Sequence, residues 1–236
     1  MKRLLYFLSA LLAPFSKADG AKLGSDGDPI RRMLFASQSL EEQVKQMHLN
    51  GEPGGFQDIA DAAKLAREGK KQDAIARLQN ALQHPDNETR IILWTWAGLR
   101  ELGMQPDGSV AGEVLGAVIE MPSGGGYDTL AAYADGTARY LNFSGKAIFW
   151  DQPDEKIKAL CKSLIDSTIP ASGAARPRTT LSLPKGDAQV TLLTRSGNYV
   201  IVNPPQSVVE AGAALMIEMM NGVKQGKNAP APKKED

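Results

Sequence analysis

Apolar residues in the first half of the chain recur every three or four positions. Leu40, Val44 and Met47 follow Ser39 and Glu42, which together form a capping box, so a helix is predicted from Ser39. The run Gly51-Glu52-Pro53-Gly54-Gly55 breaks it. Phe56, Ile59, Ala60 and Ala63 then predict a helix over 56–68 that Gly69 can close with a left-handed residue. Ala74, Ile75, Leu78, Ala81 and Leu82 form the stripe of a third helix, which Pro85 stops, and Trp94, Trp96 and Leu99 mark a fourth over 88–102, ending at Gly103.

From Glu113 the period changes to short runs suited to strands: 114–121, 127–134, 137–143 and 147–150. Pro153 opens a helix carrying Ile157, Leu160, Cys161, Leu164 and Ile165, which puts Cys161 in the core. A polar connection over 172–178 leads to a second hairpin, 190–194 and 199–202, around Ser196-Gly197-Asn198. Pro204-Pro205 precedes a last helix with Val208, Val209, Ala213, Leu215, Met216, Met219 and Met220. The order hairpin, proline, helix thus occurs twice. These elements predict an α+β fold, N-terminal helical hairpins followed by an antiparallel sheet with two helices on one face.

Asp135-Gly136 is the strongest turn signal. A two-residue turn there opposes Ala132 to Arg139 and Tyr133 to Ala138, places Tyr133 and Tyr140 on one face, and gathers Leu130, Leu141, Phe143 and Arg139 on the other. Both faces are largely apolar, so one is expected to pack on helices and the other to be covered by the first half or by a partner.

Length and composition narrow the class. At 236 residues, with 42% hydrophobic and 23% charged residues, the chain suits one or two globular units of ~150 residues. The 27 basic residues balance the 27 acidic ones, which argues against nucleic acid as a partner. One cysteine and two histidines exclude a disulfide framework and a Cys/His zinc site, and no metal or cofactor is expected.

Residues 1–18 combine Lys2-Arg3, an apolar run over 4–13 and small residues at Ser16 and Ala18, the layout of a secretory signal peptide. The run is too short to span a bilayer, and a hydrophobic N-terminal helix is the alternative. Export implies a periplasmic or secreted protein. Without it the address is cytoplasmic, and membrane contact is expected only through an uncleaved N-terminal segment. Residues 19–28 read as a linker, 29–105 as a helical region, 113–223 as an α+β domain and 224–236 as a disordered tail with three lysines and two prolines after Lys224.

The order Gly69, Ala74, Ala81, Pro85, an aromatic at Trp94 and Gly103 resembles the tetratricopeptide repeat over about 62–103. From Gly69 to Gly103 is 34 residues, the repeat length of that family. Pro106 and Gly108 stand where a next repeat would begin, so the resemblance implies one unit plus a capping helix, used for packing rather than as a peptide groove. Residues 128–146 are similar to a stretch of an uncharacterised family of bacterial proteins, which implies a fold and no activity.

Candidate chemistry is sparse. Ser123-Gly124-Gly125-Gly126 invites a phosphate-loop reading, but Ala147 follows Gly145-Lys146 where Ser or Thr is needed, so a loop between strands is expected. There is no G-x-S-x-G elbow. His48 and His84 fit helix C-termini. A polar group near the first hairpin remains: Asp128, Asp135, Arg139, Asn142, Ser144 and Lys146. From it Arg139, Lys146 and Asp128 are the candidate ligand-binding residues, and Tyr133, Tyr140, Trp94 and Trp96 the candidate interaction surface; no catalytic residue is assigned. The expected function is a non-catalytic protein-interaction or adaptor protein, its partner another protein. The alternatives are a small-molecule or anion-binding module or enzyme with its site at the first hairpin, and an envelope-associated structural subunit assembling through the C-terminal helix.

Overall fold

The computed structural model describes residues 29–46, 55–85 and 87–224. The leader or N-terminal helix (1–18), the linker (19–28), Met47, His48 and the tail beyond Lys224 lie outside the described residues. The fold is α+β. Eight helices occur among the described residues: α1 (Pro29–Met33), α2 (Leu40–Gln46), α3 (Gly55–Arg67), α4 (Lys71–Ala81), α5 (Thr89–Glu101), α6 (Gly108–Ala111), α7 (Glu155–Thr168) and α8 (Gln206–Lys224). Seven strands form one antiparallel sheet: β1 (Val114–Ser123), β2 (Gly126–Tyr133), β3 (Ala138–Leu141), β4 (Ala147–Trp150), β5 (Arg176–Pro177), β6 (Gln189–Thr194) and β7 (Gly197–Val202), in the order β4-β3-β2-β1-β6-β7-β5.

Side chains alternate across a strand, so each strand feeds two cores. One core joins Val118, Ala131, Tyr133, Leu141 and Leu193 of the sheet to α1–α5 through Phe35, Leu40, Ile59, Leu78, Trp94 and Leu99. The other joins Ala117, Ile119, Leu130, Tyr140, Val190 and Leu192 to Ile157, Cys161 and Leu164 of α7 and Val208, Leu215 and Met219 of α8. The sheet is therefore the middle of three layers. Its second face is covered by the first half of the same chain, which removes the need for a partner there. α8 lies close because it carries glycine where the sheet presses: a Cβ on Gly222 would stand 2.2 Å from the Trp150 ring.

The first hairpin departs from expectation. Observed pairs are Ala132 with Ala138, Ala131 with Arg139, Leu130 with Tyr140 and Thr129 with Leu141. The turn holds three residues, Ala134-Asp135-Gly136: Gly136 N donates to the Tyr133 carbonyl, Tyr133 N donates to the Thr137 carbonyl, and Gly136 sits at φ 84°. Asp135 sets the extra residue. Its Oδ1 accepts from Thr137 N and Oγ1, and its Oδ2 accepts from Thr89 N at the start of α5, 2.7 Å away. A one-residue slip flips every side chain. Tyr133 and Tyr140 thus lie on opposite faces; Arg139 and Leu141 share a face with Tyr133, and Leu130 shares one with Tyr140. The second hairpin also turns one step early, at Arg195-Ser196, with Thr194 opposite Gly197.

On the α1 side, one carboxylate in β1 collects much of the polar structure. Glu120 is fully buried; its Oε1 accepts from Arg31 Nε at 2.9 Å and also from Arg31 Nη2, and its Oε2 accepts from Arg178 Nη1 at 2.9 Å and Gln189 Nε2 at 2.7 Å. Both guanidiniums also lie over the Phe35 ring, 5.3 and 4.6 Å from its centre, and donate to carbonyls of the 180–182 loop. The carbonyls of Leu34 and Phe35 accept from Tyr133 Oη and Asn198 Nδ2 on the same face of the sheet.

Glu120→Ala should leave two buried cations uncompensated and lower unfolding free energy by about 3–5 kcal/mol. The triple replacement Arg31→Met, Glu120→Leu, Arg178→Met should recover most of that loss. Denaturant unfolding of the two variants beside the natural chain checks the pair of outcomes.

Candidate functional site

The polar residues expected to meet at the first hairpin are placed on different surfaces. Asp128 of β2 faces α7 and α8, where its Oδ2 accepts from Tyr140 Oη at 2.9 Å and its Oδ1 from Phe143 N at 2.9 Å. Arg139 of β3 faces the helical half. It is buried, bridges to Asp151, donates to the Ala138 carbonyl at 2.9 Å and lies 5.6 Å from the Phe149 ring centre. Lys146 is exposed in the β3–β4 loop, which Asn142 organises by accepting from Ser144 N, Ser144 Oγ and Lys146 N. Arg139, Lys146 and Asp128 therefore share no site.

Electrostatics show what each group is spent on. Burial pulls the Arg139 guanidinium below its ordinary range, and the nearby Arg90 charge adds to this. Burial acts on Arg90 the same way, but Glu88, Tyr133 and Asp151 together hold it above its usual value. Arg90 closes a 2.6 Å pair with Glu88 and lies 5.8 Å from the Trp94 ring centre. Burial pushes the Tyr133 phenol up to about 12, and raises Tyr140 as well, with the hydrogen bond to Asp128 adding to the shift. Both phenols are neutral donors.

Three of the four aromatic residues expected as an interaction surface lie inside the fold. Tyr133 and Trp94 are buried in the first core, with Trp94 edge-on to Phe56 at 6.3 Å, and Tyr140 is buried in the second. Trp96 is half-buried. Strand alternation explains the tyrosines, since both faces of β2 and β3 are covered by helices. Cys161 is buried as its helical stripe implies. Desolvation pushes its thiol up to about 12, and its Sγ lies 3.3 Å from the Gly136 carbonyl. His84 shares a 3.0 Å hydrogen bond with Asp58, which also pairs with Arg77.

The glycine run over 124–126 is the β1–β2 turn. Ser123 pairs with Gly126, and Gly124 and Gly125 take φ of 49° and 110°, which a two-residue hairpin requires. An open concavity lies over residues 122–127. Phe143 fills the space beside the turn, 2.9 Å from where a Cβ on Gly124 or Gly126 would stand. Among the described residues, no group of three His, Cys, Asp or Glu is placed to hold a metal, and no helix is long and apolar enough to cross a membrane.

Two features lay outside the expected site. The first is the Arg31–Glu120–Arg178–Gln189 cluster, whose signal was Glu120 itself, a lone carboxylate in the apolar run of β1 that has to find a cation once buried. The second is the outer side of α8. Its inner face is Val208, Gly212, Leu215, Met219 and Gly222, yet Ile217 on the opposite side is 51% exposed and Val223 on the flank is 44% exposed. Val209, Ala213, Met216 and Met220 lie on the flank between, each half-buried. Comparison with family models, with curated proteins and with solved structures finds no match to this chain.

Arg139→Ala should lower stability by about 3 kcal/mol, since it strands Asp151 beside a vacated pocket, whereas Lys146→Ala should leave it within about 0.5 kcal/mol. Paired denaturant curves check this. With its thiol held neutral and covered, Cys161 should react with a thiol-specific reagent only at the rate of unfolding. Fast stoichiometric labelling of the native chain would contradict the assigned burial.

Proposed function

We propose that this chain is a non-catalytic protein-interaction subunit that docks through the outer strip of α8. The carrying observation is that strip: apolar side chains follow one another at helical spacing along 19 residues and stay half-exposed, with Ile217 at the outermost position. The groups that could do chemistry support the same reading. Arg139, Asp128, Tyr140 and Cys161 are each bound to neighbours within the fold, and Arg139 and Asp128 lie on opposite faces of the sheet.

The helical region 62–103 is read as one tetratricopeptide-like unit used for packing. Gly69 and Gly103 take φ of 75° and 83° at helix ends, and Ala62, Ala74 and Ala81 are fully buried, which supports close approach of α3 and α4. The outward residues of α4 are Lys71, Gln72, Asp73 and Arg77, a solvated polar face. Export, periplasmic or secreted, rests on residues 1–18 alone.

A photo-reactive residue placed at Ile217 in the full chain, expressed in its native cells, should yield a discrete protein adduct. The same group at Gln72 on α4 should not. Adding Ala213→Glu to the Ile217 probe should abolish the adduct by charging the strip. No adduct from position 217, or equal adducts from 217 and 72, would overturn the reading.

A further inference from the structure

We infer that the occupant of the α8 strip is α8 of a second copy, packed antiparallel about a two-fold axis through Ile217, an inference that rests on the docking role just proposed. The argument is the charge pattern of the exposed face. Glu210 and Lys224 lie seven residues before and after Ile217. Seven residues are about two turns, so both point within ~20° of the direction of Ile217. Both are exposed.

A two-fold axis makes every contact reciprocal, so residue i of one copy meets residue j of the other and j meets i. With Ile217 on the axis, Glu210 of each copy stands opposite Lys224 of its mate, two opposite-charge pairs at the ends of a contact in which Ile217 meets Ile217 and exposed Asn221 meets Ala213. A parallel pairing would set Glu210 against Glu210. The flank toward α7 is already engaged, because Glu218 pairs with Lys156 at 2.7 Å. The other flank, Val209, Met216, Met220 and Val223, carries no charge. Ala213 and Ala214 beside the axis let two helices approach closely. One helix face is smaller than the ~1,200–2,000 Å² of a stable interface, so the association is weak and concentration-dependent.

Sedimentation equilibrium of the full chain at low ionic strength, from about 10 μM to about 1 mM, should show a dimer fraction that rises with concentration. Glu210→Lys and Lys224→Glu should each weaken association by about tenfold, because either places like charges opposite each other twice. The double variant Glu210→Lys, Lys224→Glu should restore it to within about twofold, because the pairs reform with reversed sign. Unchanged thermal melts of all three variants keep the comparison free of folding effects.

A strict monomer, single swaps without effect, or a double swap that fails to rescue would each overturn the proposal. A dimer that appears only after removal of residues 225–236 would assign the strip to the chain's own tail instead. A monomer that still forms an adduct with a different protein from position 217 would overturn self-pairing and leave the docking role standing.

Discussion

A carboxylate sealed in the middle of a sheet cannot stay ionised without partners, and Glu120 organises this fold by recruiting them. Its two cations come from far along the chain, Arg31 from α1 and Arg178 from the segment after α7, and Gln189 comes from the neighbouring strand β6. Two guanidiniums against one carboxylate leave positive charge over. The Phe35 ring and the carbonyls of the 180–182 loop take it up, so the loop and α1 are held down together. The segment 30–36 is thereby buried between helices and sheet, and Tyr133 and Asn198 satisfy its carbonyls.

Asp135 provides a second tie between the halves. One of its oxygens shapes the β2–β3 turn and the other accepts the first backbone N–H of α5, a donor that would otherwise lack a partner. The turn residue of a hairpin is thus also the cap of a helix in the other half. Register of the sheet and placement of α5 cannot change independently. Together the two carboxylates explain why the helical region and the sheet share one hydrophobic core.

These ties use up the polar groups that might otherwise have formed a site. Arg139 is neutralised by Asp151 and covered by Phe149, and Asp128 is committed to Tyr140 and the Phe143 amide. With helices on both sides of the sheet, a run of half-exposed apolar side chains stays open on a helix. α8 can carry it because glycines at 212 and 222 seat its inner face against Ile119 and Trp150, leaving its outer side chains turned away from the sheet.

What the sequence determined was local. Helical spacing located α3, α4, α5, α7 and α8 to within a few residues, β-rich runs located six of the seven strands while the two-residue β5 fell inside the expected connection 172–178, and the stripe through Cys161 placed that thiol in the core. These depend on residues three or four apart, or alternate ones, and one sequence displays them. Of the expected site, the residue types were legible, but not that Asp128, Arg139 and Lys146 stay apart. Asp135-Gly136 announced a turn, but Asp135 is tied both to Thr137 within the turn and to Thr89, 46 residues earlier, and the one added residue moved Arg139 and Tyr140 to the faces opposite those expected. Glu120 announced a buried charge, but its cations lie 89 and 58 residues away. The tertiary structure alone decided which faces are covered, because burial is a property of the elements that meet rather than of the residues that carry it.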